Sequence, residues 1–223
     1  MESEFDEATP SAVDRPRPDG SDIRKIRAAE VQPVARTLAR AFFDDPHMRW
    51  VARVDSKRMR TLERAFATFL GRVWLRHDEG YAHERLVGAA LWMPPNTWQL
   101  GPLAQLLLLP AIVRDLRADT PRLLRALSFI EKKHPREPVH WYLPVIGVAP
   151  AWQGRGYGGA LLRTVLQRCD AEQVPAYLEA GTPRSRALYE RNGFESVEEC
   201  RYAADGPPLW RMWREPKGQP AAS

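Results

Sequence analysis

The 223-residue chain has only two cysteines, Cys169 and Cys200, and neither lies in a CxxC or Cys/His pattern. Two cysteines are too few for a disulfide framework and lack the spacing of a zinc site, so we expect buried or half-buried thiols and no bound metal. Long apolar runs are also missing. The longest, residues 102–113, is interrupted by Gln105 and Pro110 and falls short of the roughly 18 residues that a spanning helix needs.

Targeting signals and basic clusters are scarce as well. The N-terminal segment is acidic and proline-rich, without the basic and then apolar order of a signal peptide. The formal net charge is +5, but the basic residues are scattered among acidic ones, and no aromatic-plus-basic stacking motif is visible. We therefore predict a cytoplasmic protein that binds neither nucleic acid nor membranes and whose charge suits a small anionic ligand.

Composition divides the chain into three parts. Residues 1–20 carry six acidic and two basic residues with few large apolar side chains, which predicts a disordered acidic tail. Residues 21–216 contain enough apolar residues for one full domain, and 217–223 form a C-terminal tail.

Hydrophobic periodicity within the domain predicts a mixed α/β (α+β) fold. A connecting loop is predicted after Pro46. The predicted helices cover 28–43, 56–77, 98–130 with a break at 119–121, 160–169 and 183–191, and the predicted strands cover 23–26, 80–93 in two pieces, 139–148, 176–180, 194–202 and 209–213.

The segment QGRGYGG, residues 153–159, is the strongest functional signal, because it lies between a predicted strand and a predicted helix. Glycines permit positive φ and remove the Cβ atoms that would hold an anion away from the backbone. The helix that follows leaves its first amides unpaired at the positive end of its dipole. This pattern predicts a pyrophosphate site formed by Gln153, Gly154, Arg155, Gly156, Tyr157, Gly158 and Gly159.

Two kinds of pyrophosphate ligand compete for this loop. Gly154, Gly156 and Gly159 fit GxGxxG, and Glu179 follows about twenty residues later, as in a dinucleotide-binding unit. However, residues 150–153 separate the strand from the first glycine, and the motif lies late in the chain. A dinucleotide-binding oxidoreductase is therefore the less favoured alternative, and the absence of Gly-Lys followed by Ser or Thr argues against a P-loop.

The neighbouring residues fit another pattern better. The segment resembles the coenzyme A loop of the GNAT superfamily of N-acetyltransferases, and LYERNGF at 188–194 resembles that superfamily's second signature. Further segments, at 132–143, 174–179 and 183–184, resemble puromycin N-acetyltransferase-like members. The residues that fill the loop pattern are Val148, Pro150, Gln153, Gly156 and Gly158.

This resemblance implies a fold, a co-substrate and several roles. The implied fold is the GNAT fold, a mixed central sheet splayed between its fourth and fifth strands and flanked by helices, and the implied co-substrate is acetyl-CoA. Backbone groups of Ile146 and Val148 would pair with the pantetheine arm as an added strand does. Tyr189 would contact the coenzyme and give a proton or hydrogen bond to the departing thiolate. Ser185 or Thr182 would replace a coenzyme-contacting asparagine of many relatives.

The base that deprotonates the amine is left open between several groups. Glu179 is the first choice, with His140, Tyr142 or a chain of waters as alternatives. Asp44, Asp45 and His47, together with Tyr142, correspond to the acceptor-lining region, although the first three also read as a simple helix-ending cluster.

The predicted activity is transfer of an acetyl or other acyl group from acetyl-CoA to a primary amine of a small molecule, by direct attack in a ternary complex. The predicted enzyme is a monomer or homodimer. The alternative from another class is a module that binds acyl-CoA without turnover.

Overall fold

The structure, a computed structural model, describes residues 18, 20–52 and 55–218. The predicted acidic tail lies outside the described residues except for residues 18 and 20, and so do residues 219–223 of the predicted C-terminal tail. The described strands are β1 (Ile23–Lys25), β2 (Gly80–His83), β3 (Gly88–Met93), β4 (Trp141–Val148), β5 (Ala176–Ala180), β6 (Glu195–Cys200) and β7 (Leu209–Arg214). The described helices are α1 (Val31–Ala41), α2 (Pro46–Val51), α3 (Arg58–Arg72), α4 (Pro102–Leu116), α5 (Thr120–Lys133), α6 (Tyr157–Glu172) and α7 (Pro183–Glu190).

The strands form one seven-stranded sheet in the order β1-β2-β3-β4-β5-β7-β6. Strands β4 and β5 are parallel, and every other neighbouring pair is antiparallel. The crossover between the parallel pair contains the glycine-rich loop and α6. The predicted mixed α/β architecture is confirmed. None of the helices in the described ranges combines the length and apolarity needed to cross a bilayer.

Strands β4 and β5 pair only along their first halves. The register joins Trp141 to Ala176 and ends where Leu143 faces Leu178, so the rest of β4 leaves its neighbour. On its other side, where it pairs with β3, strand β4 has a bulge: its residues Leu143 and Pro144 lie opposite one residue of β3. A bulge bends a strand, and proline is tolerated there because no ladder hydrogen bond is lost. The bulge thus accounts for the predicted splay between the fourth and fifth strands.

Helices cover both faces of the sheet, which explains why β3 is apolar at nearly every position. Leu91 and Met93 pack in the core that includes α1 and α3. Ala90 and Trp92, which alternate with them, pack in the core that includes α6. Alternate residues of a strand point to opposite faces, so every side chain of β3 is buried.

Two local predictions were wrong. The predicted loop after Pro46 is the short helix α2, in which Pro46 occupies the first turn instead of ending the preceding helix. Helix α6 begins at Tyr157 rather than at residue 160, so Gly158 and Gly159 belong to its first turn. Helix α6 therefore presents its N-terminus directly at the glycine-rich segment.

Candidate functional site

The glycine-rich segment turns through two left-handed residues before the helix starts. Gly154 has φ 78° and Gly156 has φ 92°, a region that other residues enter at a cost. Gly158 lies close to α7, where a Cβ would lie 3.0 Å from Leu188 Cδ2 and would require that side chain to shift. The loop glycines thus shape the turn and allow α6 to approach α7.

The N-terminus of α6 faces this turn without a side-chain cap. Ala160 N is the first amide of the helix to reach an intrahelical partner, bonding Gly156 O at 3.0 Å. The amides of Tyr157, Gly158 and Gly159 precede it and form no backbone hydrogen bond within the described residues. Unpaired amides at the positive end of a 16-residue helix are suited to a phosphate group.

Basic side chains surround this N-terminus. Arg85 and Arg155 lie over the ring of Trp152, at 4.6 and 5.4 Å from its centroid. Arg184, at the start of α7, donates to Gln153 Oε1 at 2.7 Å. These guanidinium groups make the surroundings of the loop strongly positive, as an anionic ligand requires.

Gln153 connects the loop to the splayed half of β4. Its Nε2 donates to Val148 O at 2.9 Å, while its Oε1 accepts from Arg184. Val148 O therefore already accepts a hydrogen bond from the Gln153 side chain. On the β3 side, Ile146 lies opposite Ala90 and Val148 opposite Gly88, and neither has a register partner on β5. The edge that faces the gap is accessible to an amide-rich ligand.

The hydroxyls of Thr182 and Ser185 cap α7. Thr182 Oγ1 accepts from Ser185 N, and Thr182 N donates to Ser185 Oγ, both at 3.1 Å. The predicted helix start at Thr182 and Pro183 is confirmed. Because this reciprocal cap engages Ser185, a coenzyme contact by its hydroxyl would have to share that group.

Glu179 lies on β5 at the mouth of the gap. Tyr142 donates to its Oε2 at 2.9 Å. Its Oε1 has no exposed surface and no hydrogen-bond partner. Burial raises the pKa of the Glu179 carboxyl from 4.5 to about 7. A carboxyl with such a pKa and a free oxygen can take up a proton near neutral pH.

Tyr189, on α7, is 6% exposed, and its hydroxyl forms no hydrogen bond to the part of the chain that the structure describes. Burial raises the pKa of Tyr189, and the negative charges of Asp45 and Glu179 raise it further. The phenol therefore stays protonated and has a hydrogen to donate. Packing against Phe194, at 6.0 Å between ring centroids, holds the ring in place.

Asp45 precedes α2 and His47 lies in its first turn, and the buried Arg58 donates to Phe43 O before this helix and to Ala52 O after it. Asp45 Oδ1 caps α2 by accepting from His47 N at 2.9 Å. The reading of this cluster as a helix ending is thus corrected, because Asp45 starts a helix. The structure separates Asp44 from its neighbours, since its side chain is 84% exposed and lies 3.7 Å from Arg49.

The ring of His47 lies against the end of β5. His47 Nε2 lies 3.0 Å from both Gly181 O and Pro208 O. A Cβ on Gly181 would lie 2.7 Å from His47 Cδ2, so only glycine permits this approach. Carbonyl oxygens accept only, so Nε2 carries the ring hydrogen, and burial lowers the pKa of His47. The neutral ring leaves Nδ1 as a buried acceptor without a partner.

His140 is paired on both sides and is not free to act as a base. Its Nδ1 donates to Pro138 O at 2.8 Å, and its Nε2 lies 3.0 Å from His134 Nε2. Burial lowers the pKa of His140, and burial also lowers that of His134 to about 3. With His140 Nε2 bare, His134 Nε2 must carry the shared hydrogen. Among the predicted bases, Glu179 therefore has the free, titratable atom.

The sequence model of the Acetyltransferase (GNAT) family matches residues 29–194, which is most of the chain. The chain belongs to the GNAT acetyltransferase family. The matched range contains the glycine-rich loop, α6, β5 and α7, so it includes every predicted site residue.

Individual relatives agree with this GNAT assignment. An uncharacterized N-acetyltransferase of Schizosaccharomyces pombe is 25% identical over 224 residues, covering 89% of this chain and 85% of the relative. A Corynebacterium glutamicum structure, described as histone acetyltransferase HPA2 and related acetyltransferase, has a TM-score of 0.64 at 24% identity, covering 90% and 98% of the two chains. The polyamine N-acetyltransferase of Drosophila melanogaster has a TM-score of 0.55 at 18% identity, covering 86% and 98%. At these identities the two structures show the shared fold.

Sequence reasoning missed several residues of the GNAT site. Tyr177 faces Tyr142 in the β4–β5 register, and its hydroxyl accepts from Arg211 Nε at 3.1 Å. The alternation of Tyr177 and Glu179 on β5 puts both side chains on one face of the sheet. His134 and Tyr202 come from distant parts of the chain, and no local pattern marks them.

A cavity of about 530 Å³ opens beside this site, on the α2–α5 side of the sheet. Tyr142 and His47 line it, and so do Pro144 and Val145 of the splayed strand. The cavity therefore reaches the point where β4 leaves β5, one side chain away from Glu179. Such a volume is in the range of small-molecule sites.

Proposed function

We propose that this GNAT protein transfers an acetyl or related acyl group from acetyl-CoA to a primary amine of a small molecule, by direct attack in a ternary complex. The observation that carries the proposal is the buried Glu179 carboxyl, which has one unpartnered oxygen next to the gap in the sheet, together with the buried Tyr189 phenol, which has no hydrogen-bond partner among the described residues. These are the base and the acid that amide formation requires.

The coenzyme would be held by groups of two kinds. The unpaired amides at the start of α6, with Gly154 and Gly156 in the turn and arginines around it, suit a pyrophosphate. The gap-facing edge of β4 at Ile146 and Val148 suits the amide-rich pantetheine arm. Acetyl-CoA, when bound, supplies an acetyl group activated as a thioester.

Glu179 is the proposed general base. An amine at neutral pH is mostly protonated, so its nucleophilic form requires a proton acceptor nearby. Tyr142 holds Oε2 of the carboxyl, and Oε1 has no hydrogen-bond partner and is left to take up that proton. His47 lines the cavity from α2, and we propose that His47 and the neighbouring Asp45 position the amine rather than accept its proton.

Tyr189 is the proposed proton donor to the departing sulfur. A phenol kept protonated by burial retains its hydrogen until negative charge develops on a nearby atom. Cys169 is not a candidate for a covalent route, because burial raises the pKa of its thiol to about 12. Direct transfer between the two bound substrates is therefore the proposed route.

Release of free thiol from acetyl-CoA, measured with a panel of primary amines, tests this function. We expect release that depends on both protein and amine, and a thermal shift with CoA but not with NAD. Glu179→Gln and Tyr189→Phe should each lower the rate, whereas Glu195→Gln, at an exposed position of β6, should not. A CoA thermal shift without thiol release from any amine would instead indicate an acyl-CoA-binding module.

A further inference from the structure

The cavity beside Glu179 points to the chemical class of the acceptor. We infer that it binds the apolar body of the amine, so that the enzyme acetylates monoamines carrying a large aromatic or branched aliphatic group in preference to polyamines. The inference rests on the proposed acetyl transfer and adds the part of the acceptor that lies away from the reacting nitrogen.

The cavity is placed to hold an acceptor rather than to be a packing defect of the core. Pro144 and Val145 line it directly after the last β4–β5 pair, and Tyr142 joins its wall to Glu179. A molecule seated there with its amine toward Tyr142 has the amine one side chain away from the proposed base. The volume of about 530 Å³ is several times that of a large side chain.

The walls of the cavity are mainly apolar. Helices α3, α4 and α5 contribute large aliphatic and aromatic side chains, among them Phe66, Leu108 and Ile112. Leu108 is 4% exposed, whereas its neighbour Leu107, which is not part of the lining, is 61% exposed. Helix α4 therefore turns one apolar face to the cavity, and this face removes apolar ligand surface from water.

The charges of the lining favour one ammonium group and disfavour several. Among the lining residues in the described ranges, Glu131 is the only carboxylate, and no lysine or arginine is present. His47 and His134 also line the cavity, and burial lowers the pKa of both rings, so neither adds a positive charge at neutral pH. A polyamine would bring two or more positive charges into this cavity, where one exposed carboxylate could pair with only one of them. Binding a second, unpaired charge in apolar surroundings costs free energy.

A substrate series measures the preference directly. Thiol release from acetyl-CoA is followed with propylamine, 2-phenylethylamine, 4-phenylbutylamine, agmatine and spermidine. Full burial of a phenyl-sized group predicts that kcat/KM rises about 10- to 100-fold from propylamine to 4-phenylbutylamine. Agmatine and spermidine should fall below 4-phenylbutylamine by at least about tenfold.

Two substitutions on one helix attribute the preference to the cavity. Leu108→Trp fills the cavity and should lower the ratio of kcat/KM for 4-phenylbutylamine to that for propylamine by at least about tenfold. Leu107→Trp adds the same side chain on the outer face and should leave the ratio unchanged. If Leu108→Trp fails to fold, Ala65→Phe fills the same space from α3 at a half-buried position.

The outcomes separate this inference from the proposed function. Higher kcat/KM for spermidine or agmatine, or a ratio that neither filling variant changes, would overturn the inference and leave acetyl transfer intact. Equal turnover of octanoyl-CoA and acetyl-CoA without any advantage for apolar amines would assign the cavity to the acyl chain, which also overturns it. If no amine releases thiol, the proposed function fails. Calorimetric binding of 4-phenylbutylamine in the presence of CoA, compared between Leu108→Trp and Leu107→Trp, then decides the inference alone.

Discussion

Replacing Glu179 with glutamine should stabilise the folded protein at alkaline pH while it removes activity. Glutamine keeps an oxygen that accepts from Tyr142 and has nearly the same volume. What it lacks is the ionised form, which burial disfavours in the folded protein. The folded state binds the Glu179 proton more tightly than the unfolded chain does, so the wild type loses stability as the pH rises through that range.

The size of this effect follows from the pKa. A rise from 4.5 to about 7 corresponds to about 3.4 kcal/mol of folding free energy at high pH. About 2.5 kcal/mol of it develops between pH 5 and pH 8, because the unfolded carboxyl is already mostly ionised at pH 5. The Gln variant does not titrate there, so its stability relative to wild type should increase by about that amount over this interval.

Urea unfolding of both proteins at pH 5 and pH 8 measures this difference, and subtracting the two proteins cancels the contributions of other titrating groups. Glu195→Gln, at an exposed site on β6, is the matched control and should show no pH-dependent gain. Parallel pH dependences for wild type and Glu179→Gln would refute the reasoning, because the carboxyl would then have the same proton affinity in both states.

Three further perturbations have defined outcomes. Tyr189→Phe should lower kcat about 100-fold or more with an unchanged urea midpoint, since the hydroxyl has no partner among the described residues; loss of stability without loss of kcat would make it a packing residue. Gly156→Ala places a side chain at φ 92°, so it should lower the free energy of unfolding by about 1–2 kcal/mol and weaken CoA binding. The control Gly71→Ala lies inside α3 with open space around the added methyl group, so it should not destabilise the protein. The free energy of unfolding of the wild type should fall as the pH drops from 6.5 toward about 3, because His134 is protonated in the unfolded chain but stays neutral in the folded protein. Urea titrations of His134→Gln should show a weaker pH dependence, and identical pH dependences for the two proteins would contradict this reasoning.

The parts of the fold that the sequence predicted are those with a local physical signal. Gly154 and Gly156 predict the turn before α6, because glycine readily adopts positive φ. Thr182 and Pro183 predict the start of α7, and Gly193 predicts that it ends nearby. The apolar spacing of α3 and α6 located both helices, with errors of a few residues at their ends. Each of these signals depends on neighbours within one or two turns of chain.

The missed features depend on tertiary contacts. Helix α2 has six residues, too few for an apolar period, and its position depends on the buried guanidinium of Arg58. The pairing of His134 with His140 arises where the end of α5 meets the start of β4. The cavity beside Glu179 is lined by helices that lie far apart in the sequence, so no window along the chain contains its pattern.

The bulge at Pro144 leaves the two halves of the sheet joined by three residue pairs, from Trp141 to Leu143, with α6 packed across the junction. A junction this short is where we expect sub-global opening to begin, with amide hydrogen exchange faster along the free edge of β4 than in its paired half. A ligand that forms hydrogen bonds with this edge and with the start of α6 would replace the hydrogen bonds that β5 does not form with this half of β4. Its binding free energy would then also stabilise the junction between the two half-sheets. The cooperativity of unfolding should therefore increase with the fraction of protein that has substrate bound.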